Sequence, residues 1–381
     1  MKRAAIIGAA ESDLGVTGLP SLALQAQAIT RALDDAGLGL RDIDGLATTG
    51  LGRFATTHVA EYLGLDLAWT DSTAVGGCAF ELYVARAAQA LASGQCQTVV
   101  ISYASNQRSA RSRELSGVLL DDTPEAQFQD PYGPLSPVSY YAMAAQRYMY
   151  ETGAGREQLA EVAVAAREWA LLNPKAYRFG AGPLTVDDVL EARPVSSPLG
   201  TLDCCLVTDG GGAIVMTTLD RARDLSDHPV VPLGFGEATT NASMTGASDL
   251  LEVGAYQSGQ RALAMAGVTT SDVDVVELYD SFTITVLLSL EGLGFCGRGE
   301  AVDFIAGGRI RPGGTLPLDT SGGGLSYCHP GQYGVLLLVE AVRQLRGECG
   351  DRQVLDAEVA LVHGTGGILS THATVVLGVD R

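Results

Sequence analysis

The chain has 381 residues, of which 46% are hydrophobic and 18% charged, so it can bury one large core or two closely fused domains. Its net charge of −19 argues against nucleic acid and anionic membranes as partners, and no segment reaches the roughly 18 uncharged apolar residues of a membrane span. Seven irregularly spaced cysteines, without a CxxC or HExxH motif, predict reduced thiols in a cytoplasmic protein that binds no metal.

The first predicted elements run from strand to helix and back to strand. We interpret residues 4–10 as a strand rather than a signal peptide, because the acidic residues Glu11 and Asp13 follow at once. Residues 31–44 (RALDDAGLGLRDID) have the pattern of a helix end, a glycine cap and an aspartate-containing loop before the next strand. The apolar, alanine-rich stretch 78–91 predicts a buried helix, which the strand TVVISYAS follows.

Residues 106–182 form a long insertion that is rich in Arg, Tyr and Pro. The insertion follows the strand that ends at Ser105, and it includes a predicted helix over 140–151. Long insertions at such an edge usually cover a functional site, so we predict that this one does. The first half then resumes with LTVDDVLEARPV and with LDCCLVTDGGGAIVMTT, a glycine turn that enters a buried strand.

The second half repeats the first. Residues 261–274 (RALAMAGVTTSDVD) align with residues 31–44 without a gap, and seven of the aligned residues are identical. A strand (VDVVELYD), a buried helix over 329–345 and a strand (EVALVHG) then follow in the order of the first half. This internal duplication predicts an N-terminal half over 1–225 and a C-terminal half over 226–381. Their mixed sheets would pack around central helices in a five-layered α/β fold.

The motifs of both halves together resemble the thiolase superfamily over nearly the whole chain. Thiolases carry a nucleophilic cysteine at the start of the first central helix, a Gly-His-Pro loop at the equivalent place in the second half, and a late Cys-x-Gly loop. The corresponding segments here are 76–79, 326–331 and 363–367. Segments 276–282 and 202–212 are similar to sterol-carrier-type thiolases and their lipid-transfer-protein relatives. The resemblance implies the thiolase fold, with five layers in the order α-β-α-β-α.

The cysteine of the first central helix is out of place for a thiolase. In thiolases this cysteine lies 17 residues before the glycine that ends its helix. Counting back from Gly94 reaches Gly77, so Cys78 is one place late. A shift of one residue turns a side chain by about 100° around a helix, and Cys78 is therefore expected to point elsewhere.

Two further positions differ from thiolases. The late loop has His363 or Gly364 in place of the acid–base cysteine. In the strand of segment 276–282, Tyr279 replaces the histidine that is usually found there. This pattern resembles the lipid-transfer-protein branch that cleaves steroid side chains as acyl-CoA by a retro-aldol reaction. In that branch, tyrosines at the positions of Tyr279 and Tyr327 are the suspected proton carriers.

Each candidate side chain has a catalytic and a structural interpretation. His329 precedes a predicted helix start, where the helix dipole would keep its imidazole neutral as a base or donor; the alternative is a turn that only caps the helix. Tyr279 and Tyr327 carry protons, or they are core aromatics with satisfied hydroxyls. Cys78 is a nucleophile at a helix N-terminus, or it is a small buried hydrophobe.

Glycine-rich loops are the other candidate part of the site. Glycine permits close backbone approach, and backbone N–H groups of these loops can stabilise the enolate of a thioester. The alternative is tight turning between buried elements. We predict that the CoA substrate is bound by Gly323, Gly324, His363 and Gly366.

These residues predict an enzyme that cleaves a C–C bond in a β-hydroxyacyl-CoA by retro-aldol chemistry. The resemblance implies a steroid side-chain CoA ester as substrate and propionyl-CoA or acetyl-CoA as product. The reaction needs a base, donors for the enolate and an acid, and no cofactor bound in this chain besides the CoA of its substrate. Two alternatives are acyl transfer of the thiolase type through Cys78 and a CoA- or lipid-binding homologue without chemistry.

The phosphates of CoA need cations, yet the chain has only two lysines. The densest basic stretch is RSARSR at 108–113, and we predict that Arg108 and Arg111 bind phosphate unless the stretch is a solvated loop. The resemblance implies a small OB-fold and zinc-ribbon protein over the active-site mouth, so we expect a heteromeric complex. It also implies a homodimer along an edge strand of the N-terminal sheet, for which we predict the apolar strand around 98–102.

Overall fold

The computed structural model describes residues 3–112, 123–134, 137–242 and 244–380. Within this part of the chain, no helix is long and apolar enough to cross a membrane. The strands are β1 (Ala4–Glu11), β2 (Gly45–Thr48), β3 (Trp69–Asp71), β4 (Thr98–Ser105), β5 (Pro194–Ser196), β6 (Leu199–Gly200), β7 (Gly210–Thr218), β8 (Val230–Thr239), β9 (Val275–Leu278), β10 (Val359–Gly366) and β11 (Thr371–Val379). The α-helices are α1 (Ser21–Asp35), α2 (Ala55–Leu63), α3 (Ala79–Ser93), α4 (Gln107–Ala110), α5 (Pro124–Phe128), α6 (Val138–Thr152), α7 (Arg156–Leu171), α8 (Val186–Glu191), α9 (Leu219–Leu225), α10 (Ala255–Ala266), α11 (Thr283–Leu293), α12 (Ala301–Ile305) and α13 (Gly334–Arg346).

Strands of the two halves form one mixed sheet, in the order β3-β2-β4-β7-β1-β8-β11-β10-β9. The halves meet between β1 and β8, through the pairing of Ile6 with Val230. In each half an antiparallel core, β1-β7-β4 or β8-β11-β10, is extended by a parallel strand, β2 or β9. The duplication in the sequence is therefore repeated in the strand order.

Two glycines let the outer helices pack directly on the sheet. A Cβ atom on Gly8 of β1 would lie 2.1 Å from the carbonyl oxygen of Ala32 in α1, and one on Gly234 of β8 would lie 2.1 Å from that of Ala262 in α10. Ala32 and Ala262 are aligned positions of the sequence repeat. Both halves therefore use the same close contact between a strand and its outer helix.

Helices α3 and α13 form the central layer. Both pack against strands of both halves, whereas α1 packs on β1, β4 and β7 and α10 packs on β8 and β11. Nearly all of α13 is buried, including the polar side chains of Glu340 and Gln344, as its place between the strands of the two halves requires. The five layers are therefore α1, the strands of the first half, the central helices, the strands of the second half and α10. The predicted five-layered α-β-α-β-α architecture is confirmed.

The segment around His329 is not the start of α13, contrary to the prediction. A π-helical turn covers Gly323–Tyr327, and Cys328 after it has an extended backbone. Gly331 then adopts a φ of +102°, a conformation that favours glycine. Since α13 begins only at Gly334, Pro330 does not occupy the first position of a helix.

Strand β4 lies inside the sheet rather than at its edge. It is hydrogen-bonded to β2 on one side and to β7 on the other. This position explains its apolar sequence, because interior strands are buried on both faces. The prediction that two copies pair along 98–102 is therefore wrong, and the outermost described strand of the first half is β3.

The insertion packs on the second half. Helix α6 contacts α11, and α7 contacts both α11 and the π-helical turn. Nε1 of Trp169 in α7 donates a hydrogen bond to the carbonyl oxygen of Ile310 at 2.9 Å. The helix predicted over 140–151 is present as α6, while residues 113–122 and 135–136 lie outside the described part of the insertion.

Candidate active site

A cavity of about 670 Å³ opens where the two halves and the insertion meet. Its wall includes segment 74–77 of the first half and parts of 279–282, 329–332 and 365–371 of the second half. Because β9 and β10 are parallel, their carboxyl ends and the loops that follow lie on the same side of the sheet. The insertion contributes Thr123, Glu125, Pro137 and Tyr141.

Tyr279 and His329 form a hydrogen-bonded pair in the wall of this cavity. The Tyr279 hydroxyl lies 3.0 Å from Nε2 of His329 and 3.3 Å from the carbonyl oxygen of Gly331. Strand β9 ends at Leu278, and the backbone N–H of Tyr279 just beyond it donates to the carbonyl oxygen of His363 at 3.0 Å. The fold thereby brings together two residues that the sequence places in separate motifs.

Neighbouring side chains hold the pair in place. The backbone N–H of His329 donates to Oγ1 of Thr208 at 2.9 Å. The ring of Tyr333 packs edge-on against Tyr279, with centroids 5.9 Å apart, and stacks on His329 at 6.1 Å. Because the Tyr333 hydroxyl is itself 3.1 Å from Oγ of Ser321, this ring is a fixed support.

Burial keeps both members of the pair uncharged at neutral pH. It raises the pKa of Tyr279 well above the usual value for a phenol, and it lowers the pKa of His329 to about 4. A phenol can donate a proton and a neutral imidazole can accept one. The pair can therefore move a proton between the cavity and Nε2 of His329.

Gly77 is the position at which the Tyr279 ring enters the site. A Cβ atom on Gly77 would lie 2.1 Å from Cε2 and 2.7 Å from Cζ of Tyr279. Gly77 is also the position, counted from the helix-ending Gly94, at which thiolases carry their nucleophile. The tyrosine ring thus fills the space that a nucleophilic side chain would need.

Cys78 is buried and does not line the cavity. Its Sγ lies 3.6 Å from the carbonyl oxygen of Val75 and 3.5 Å from that of Thr371, and the residue is fully buried. Burial, followed by the nearby carboxyl group of Glu81, raises the pKa of the Cys78 thiol far above its usual value. Because the thiolate is the nucleophile, this geometry favours the structural interpretation of Cys78.

One wall of the cavity is made of glycine backbone. A Cβ atom on Gly76 would lie 2.7 Å from the amide nitrogen of Gly367, and one on Gly366 would lie 1.8 Å from the carbonyl oxygen of Val75. The two turns therefore touch backbone to backbone, which only glycine allows. Gly366, a predicted substrate contact, lies in this wall.

Two polar atoms in the wall are buried without a hydrogen-bond partner among the described residues. They are Oγ1 of Thr365 and Oε1 of Gln332, and both residues line the cavity. Leaving such an atom unpaired costs about 1–3 kcal/mol, so a polar substrate group is a natural partner for each. The Thr365 hydroxyl can donate to an enolate oxygen, which makes it a candidate oxyanion contact.

Tyr327 does not join Tyr279 at the cavity. It ends the π-helical turn, where its carbonyl oxygen accepts a hydrogen bond from the N–H of Tyr177 at 2.9 Å. Its side chain is buried near the ion pair of Glu11 and Arg343, and these two residues line a different cavity. The structure thus separates two tyrosines that the resemblance had grouped.

His363 lies behind the cavity wall. Its ring stacks on that of His372 with centroids 5.4 Å apart, and its Nδ1 lies 2.8 Å from Oγ1 of Thr374. Burial, followed by the charge of a protonated His372, lowers the pKa of His363 well below the usual value. His363 was predicted to contact CoA, but it reaches the site only through the carbonyl oxygen that holds Tyr279.

Gly323 and Gly324 face a buried carboxyl group instead of the cavity. The N–H of Gly324 donates to Oδ1 of Asp280 at 2.5 Å, and the N–H of Leu325 donates to Oδ2 at 3.0 Å. Neither glycine lines the cavity. The N–H of Gly324 is already bonded, so the geometry does not support the predicted role of these glycines in binding substrate or an enolate.

Arg108 and Arg111 lie on the surface and do not line the cavity. Both flank Ser109, whose N–H donates to Oδ1 of Asp209 at 2.8 Å. Arg113, the last member of the predicted basic cluster, lies outside the described residues. The described residues that line the cavity include no arginine or lysine.

Tyr141 of α6 lines the cavity, although no sequence pattern predicted it. Its ring stacks on Phe282 with centroids 4.4 Å apart, and its hydroxyl is hydrogen-bonded to Ser281. The insertion and its helix were recognisable from the sequence. Which of the adjacent tyrosines of that helix faces the cavity depends on how α6 packs, and the sequence carries no signal for it.

Comparison with known proteins agrees with this fold. Residues 236–379 match the thiolase C-terminal domain-like family. The chain is 38% identical to the 17-hydroxy-3-oxo-4-pregnene-20-carboxyl-CoA lyase of Mycobacterium tuberculosis, over 96% of this chain and 97% of that protein. It is 37% identical to the steroid side-chain-cleaving aldolase of Thermomonospora curvata, over 98% and 97%.

A solved structure extends the likeness to three dimensions. It is that of an Ltp2-ChsH2(DUF35) aldolase, and it matches with a TM-score of 0.90 and 35% identity over 100% of this chain and 98% of that chain. The likeness therefore covers both halves and the cavity between them. The chain belongs to the thiolase superfamily, in the branch of sterol-carrier and lipid-transfer-protein-type homologues that contains the steroid side-chain-cleaving aldolases.

Proposed function

We propose that this protein is an aldolase that cleaves a steroid side-chain CoA ester. The substrate is a β-hydroxyacyl-CoA whose hydroxyl-bearing carbon belongs to the steroid ring system. When the α-carbon carries a methyl group, cleavage releases a ring ketone and propionyl-CoA; without the methyl group it releases acetyl-CoA. Relatives that are named for this activity match the chain over nearly its full length, which supports the proposal.

In the proposed reaction, Tyr279 and His329 move the proton. The Tyr279 oxygen receives the β-hydroxyl proton while its own proton passes to Nε2 of His329. The electron pair of the O–H bond forms the new C=O bond, and the C–C bond breaks to leave the thioester enolate, whose oxygen the Thr365 hydroxyl stabilises. The proton then returns to the α-carbon. Atoms and charges balance, and the CoA of the substrate is the only cofactor involved.

The observation that carries this proposal is the position of the Tyr279 ring over Gly77. A phenol bonded to a neutral imidazole is an acid–base pair, and it stands where a nucleophile would have to reach the substrate. Retro-aldol cleavage needs such a pair and no covalent intermediate. Acyl transfer through Cys78 would need a thiolate at the cavity, whereas Cys78 is fully buried, does not line the cavity, and has a thiol whose pKa is raised by burial.

Product analysis tests the proposal. The protein, together with the partner described below, is incubated with 17-hydroxy-3-oxo-4-pregnene-20-carboxyl-CoA and followed by mass spectrometry. We expect the 17-ketone and propionyl-CoA in equal amounts, and formation of both at least about 10²-fold slower in the control variant Tyr279→Phe, which keeps the ring and removes only the hydroxyl. An acyl adduct on Cys78 would instead identify a transferase. Binding without product or adduct would identify a homologue without chemistry.

We further propose that the enzyme works in a heteromeric complex with a small OB-fold and zinc-ribbon protein. The phosphates of CoA require cations, but the described cavity wall has no arginine or lysine, and the chain carries a net charge of −19. A structural relative is an Ltp2-ChsH2(DUF35) aldolase, which supports a partner of this kind. Co-expression, gel filtration and a CoA-release assay test the complex. Full activity of the single chain, unchanged by the partner, would show that no such complex is needed.

A homodimer along β3 is also proposed. Strand β3 pairs with β2 on one side and has no strand on its other side among the described residues, and a second copy would cover this edge. Sedimentation velocity should give a dimer at micromolar concentration. A stable species of 39.6 kDa would contradict it. We place this dimer in the cytoplasm, where the free cysteines would stay reduced.

A further inference from the structure

Asp280 is a buried acid directly behind the Tyr279–His329 pair. It follows Tyr279 in the chain, is fully buried and does not line the cavity. Its carboxyl oxygens accept hydrogen bonds from the N–H groups of Gly324 and Leu325, at 2.5 and 3.0 Å. These two amides belong to the π-helical turn that leads to His329. One side chain therefore ties the strand end that carries Tyr279 to the segment that carries His329.

The turn is shaped around this carboxyl group. A Cβ atom on Gly323 would lie 2.1 Å from Oδ2 of Asp280, and Gly323 has a φ of +63°, so both space and backbone require glycine. A Cβ atom on Gly324 would lie 2.9 Å from Oδ1 of Asp280 and 3.2 Å from Cδ2 of His329. Gly324 therefore lies against both the carboxyl group and the His329 ring, which gives a route by which a shift of one can move the other.

We propose that Asp280 is a positioning residue that sets the distance between the Tyr279 hydroxyl and the His329 imidazole. An ionised carboxylate that accepts two backbone N–H groups forms stronger bonds than a neutral carboxyl group. The ionised form therefore holds the turn most firmly, and a neutral side chain at this position loosens it. Where enzyme activity is the quantity measured, this inference rests on the proposed function.

The charges around Asp280 make its hydrogen bonds to the N–H groups of Gly324 and Leu325 sensitive to pH. The titratable groups near it are Asp319, Tyr333, Cys205 and His329, and Glu277 lies next to Asp319. Arg352 is the buried cation of this region, and it is bound to Glu340 through Nε and Nη2. Burial raises the pKa of Asp280 to about 7, although the backbone N–H groups of Leu325 and Gly324 lower it. These two hydrogen bonds should therefore strengthen as the pH rises through 7 and Asp280 ionises.

Asp280→Asn is the first test, because it preserves size and one acceptor but turns an NH2 group toward the second N–H. With the steroid CoA ester, we expect kcat to fall about 30- to 300-fold while KM changes less than about threefold. We also expect the rise of kcat with pH around 7 to disappear. Asp203→Asn is the matched control, since Asp203 is a buried acid that accepts from the Gly200 N–H at 2.8 Å and the Thr283 hydroxyl at 3.0 Å. It should keep kcat within about threefold of wild type and should keep the pH profile.

A second variant and a second readout make the test independent of a single mutation. Gly323→Ala should displace Asp280 from the other side and give the same phenotype. In ¹³C-histidine spectra of this five-histidine chain, the His329 signal, assigned with His329→Gln, should move in Asp280→Asn and Gly323→Ala but not in Asp203→Asn.

Two results would overturn the proposal. One is an unmoved His329 signal with kcat within about threefold of wild type in either variant. The other is a raised KM with unchanged kcat. If the wild-type complex releases no propionyl-CoA, the proposed function fails, and the histidine signal still decides whether Asp280 positions the pair.

Discussion

Replacing Gly77 by alanine adds one methyl group at the point where Tyr279 enters the site. The methyl carbon would lie 2.1 Å from Cε2 of Tyr279 and 2.8 Å from the carbonyl oxygen of Thr365. Ordinary van der Waals contact begins at 3.4 Å, so the ring must retreat by about 1.3 Å. It cannot retreat freely, because the rings of His329 and Tyr333 lie against it with centroids 5.6 and 5.9 Å away.

This displacement should break the hydrogen bond of the Tyr279–His329 pair. The bond is 3.0 Å long, and a shift of more than about 1 Å takes the two atoms beyond hydrogen-bonding distance. A misplacement of about 1 Å costs on the order of 10²-fold in rate, so we expect kcat for CoA release to fall about 10²-fold. Overpacking in a core costs about 1–3 kcal/mol, so the variant should still fold, with a Tm lower by a few degrees.

Steady-state release of propionyl-CoA and thermal unfolding measure these effects. Gly180→Ala is the matched control, because nothing lies within 4 Å of the added methyl group there. In a double-mutant cycle with Tyr279→Phe, the double variant should be no slower than Tyr279→Phe alone, since both changes act on one hydroxyl. A folded Gly77→Ala protein with kcat within about threefold of wild type would refute the reasoning.

Three further predictions follow from the site. Tyr279→Phe should lower kcat by about 10²- to 10⁴-fold with little change in the unfolding midpoint, and activity near wild type would remove Tyr279 from the mechanism. Cys78→Ala should retain at least about a tenth of the activity, whereas a loss of about 10³-fold would restore acyl transfer. His329 and His372 each have a pKa lowered by burial to about 4, below the ordinary 6.5, so the unfolded chain binds more protons between these values. The histidine contribution to stability should therefore fall as the pH drops from 6.5 to 4, by up to about 3 kcal/mol per group, whereas the buried acids Asp280 and Glu81, whose pKa values burial raises to about 7 and about 8, act in the opposite direction. The free energy of unfolding of wild type relative to His372→Gln should therefore fall by about 2 kcal/mol between pH 7 and pH 5, and an unchanged difference in urea unfolding would contradict this.

The amino-acid sequence by itself determined the architecture and the register of the first central helix. The aligned stretches 31–44 and 261–274 predicted the duplicated halves, because helix ends, glycine caps and strand starts are local features. The resemblance to thiolases supplied the spacing of 17 residues that, counted back from Gly94, identified Gly77 as the nucleophile position; the count can be made from the sequence because the cap and the helical repeat are both local. The structure places the Tyr279 ring at that position.

Only the tertiary structure decided which side chains share the cavity. Tyr327 and His329 are two residues apart, yet His329 lines the cavity, whereas the Tyr327 side chain is buried near the ion pair of Glu11 and Arg343. The end of the π-helical turn and the extended Cys328 lie between the two side chains. Asp280 is bonded to amides of Gly324 and Leu325, which are distant in the chain. Contacts between such distant residues depend on how β9, the turn and α13 pack, and hydrophobic pattern and spacing do not encode that packing.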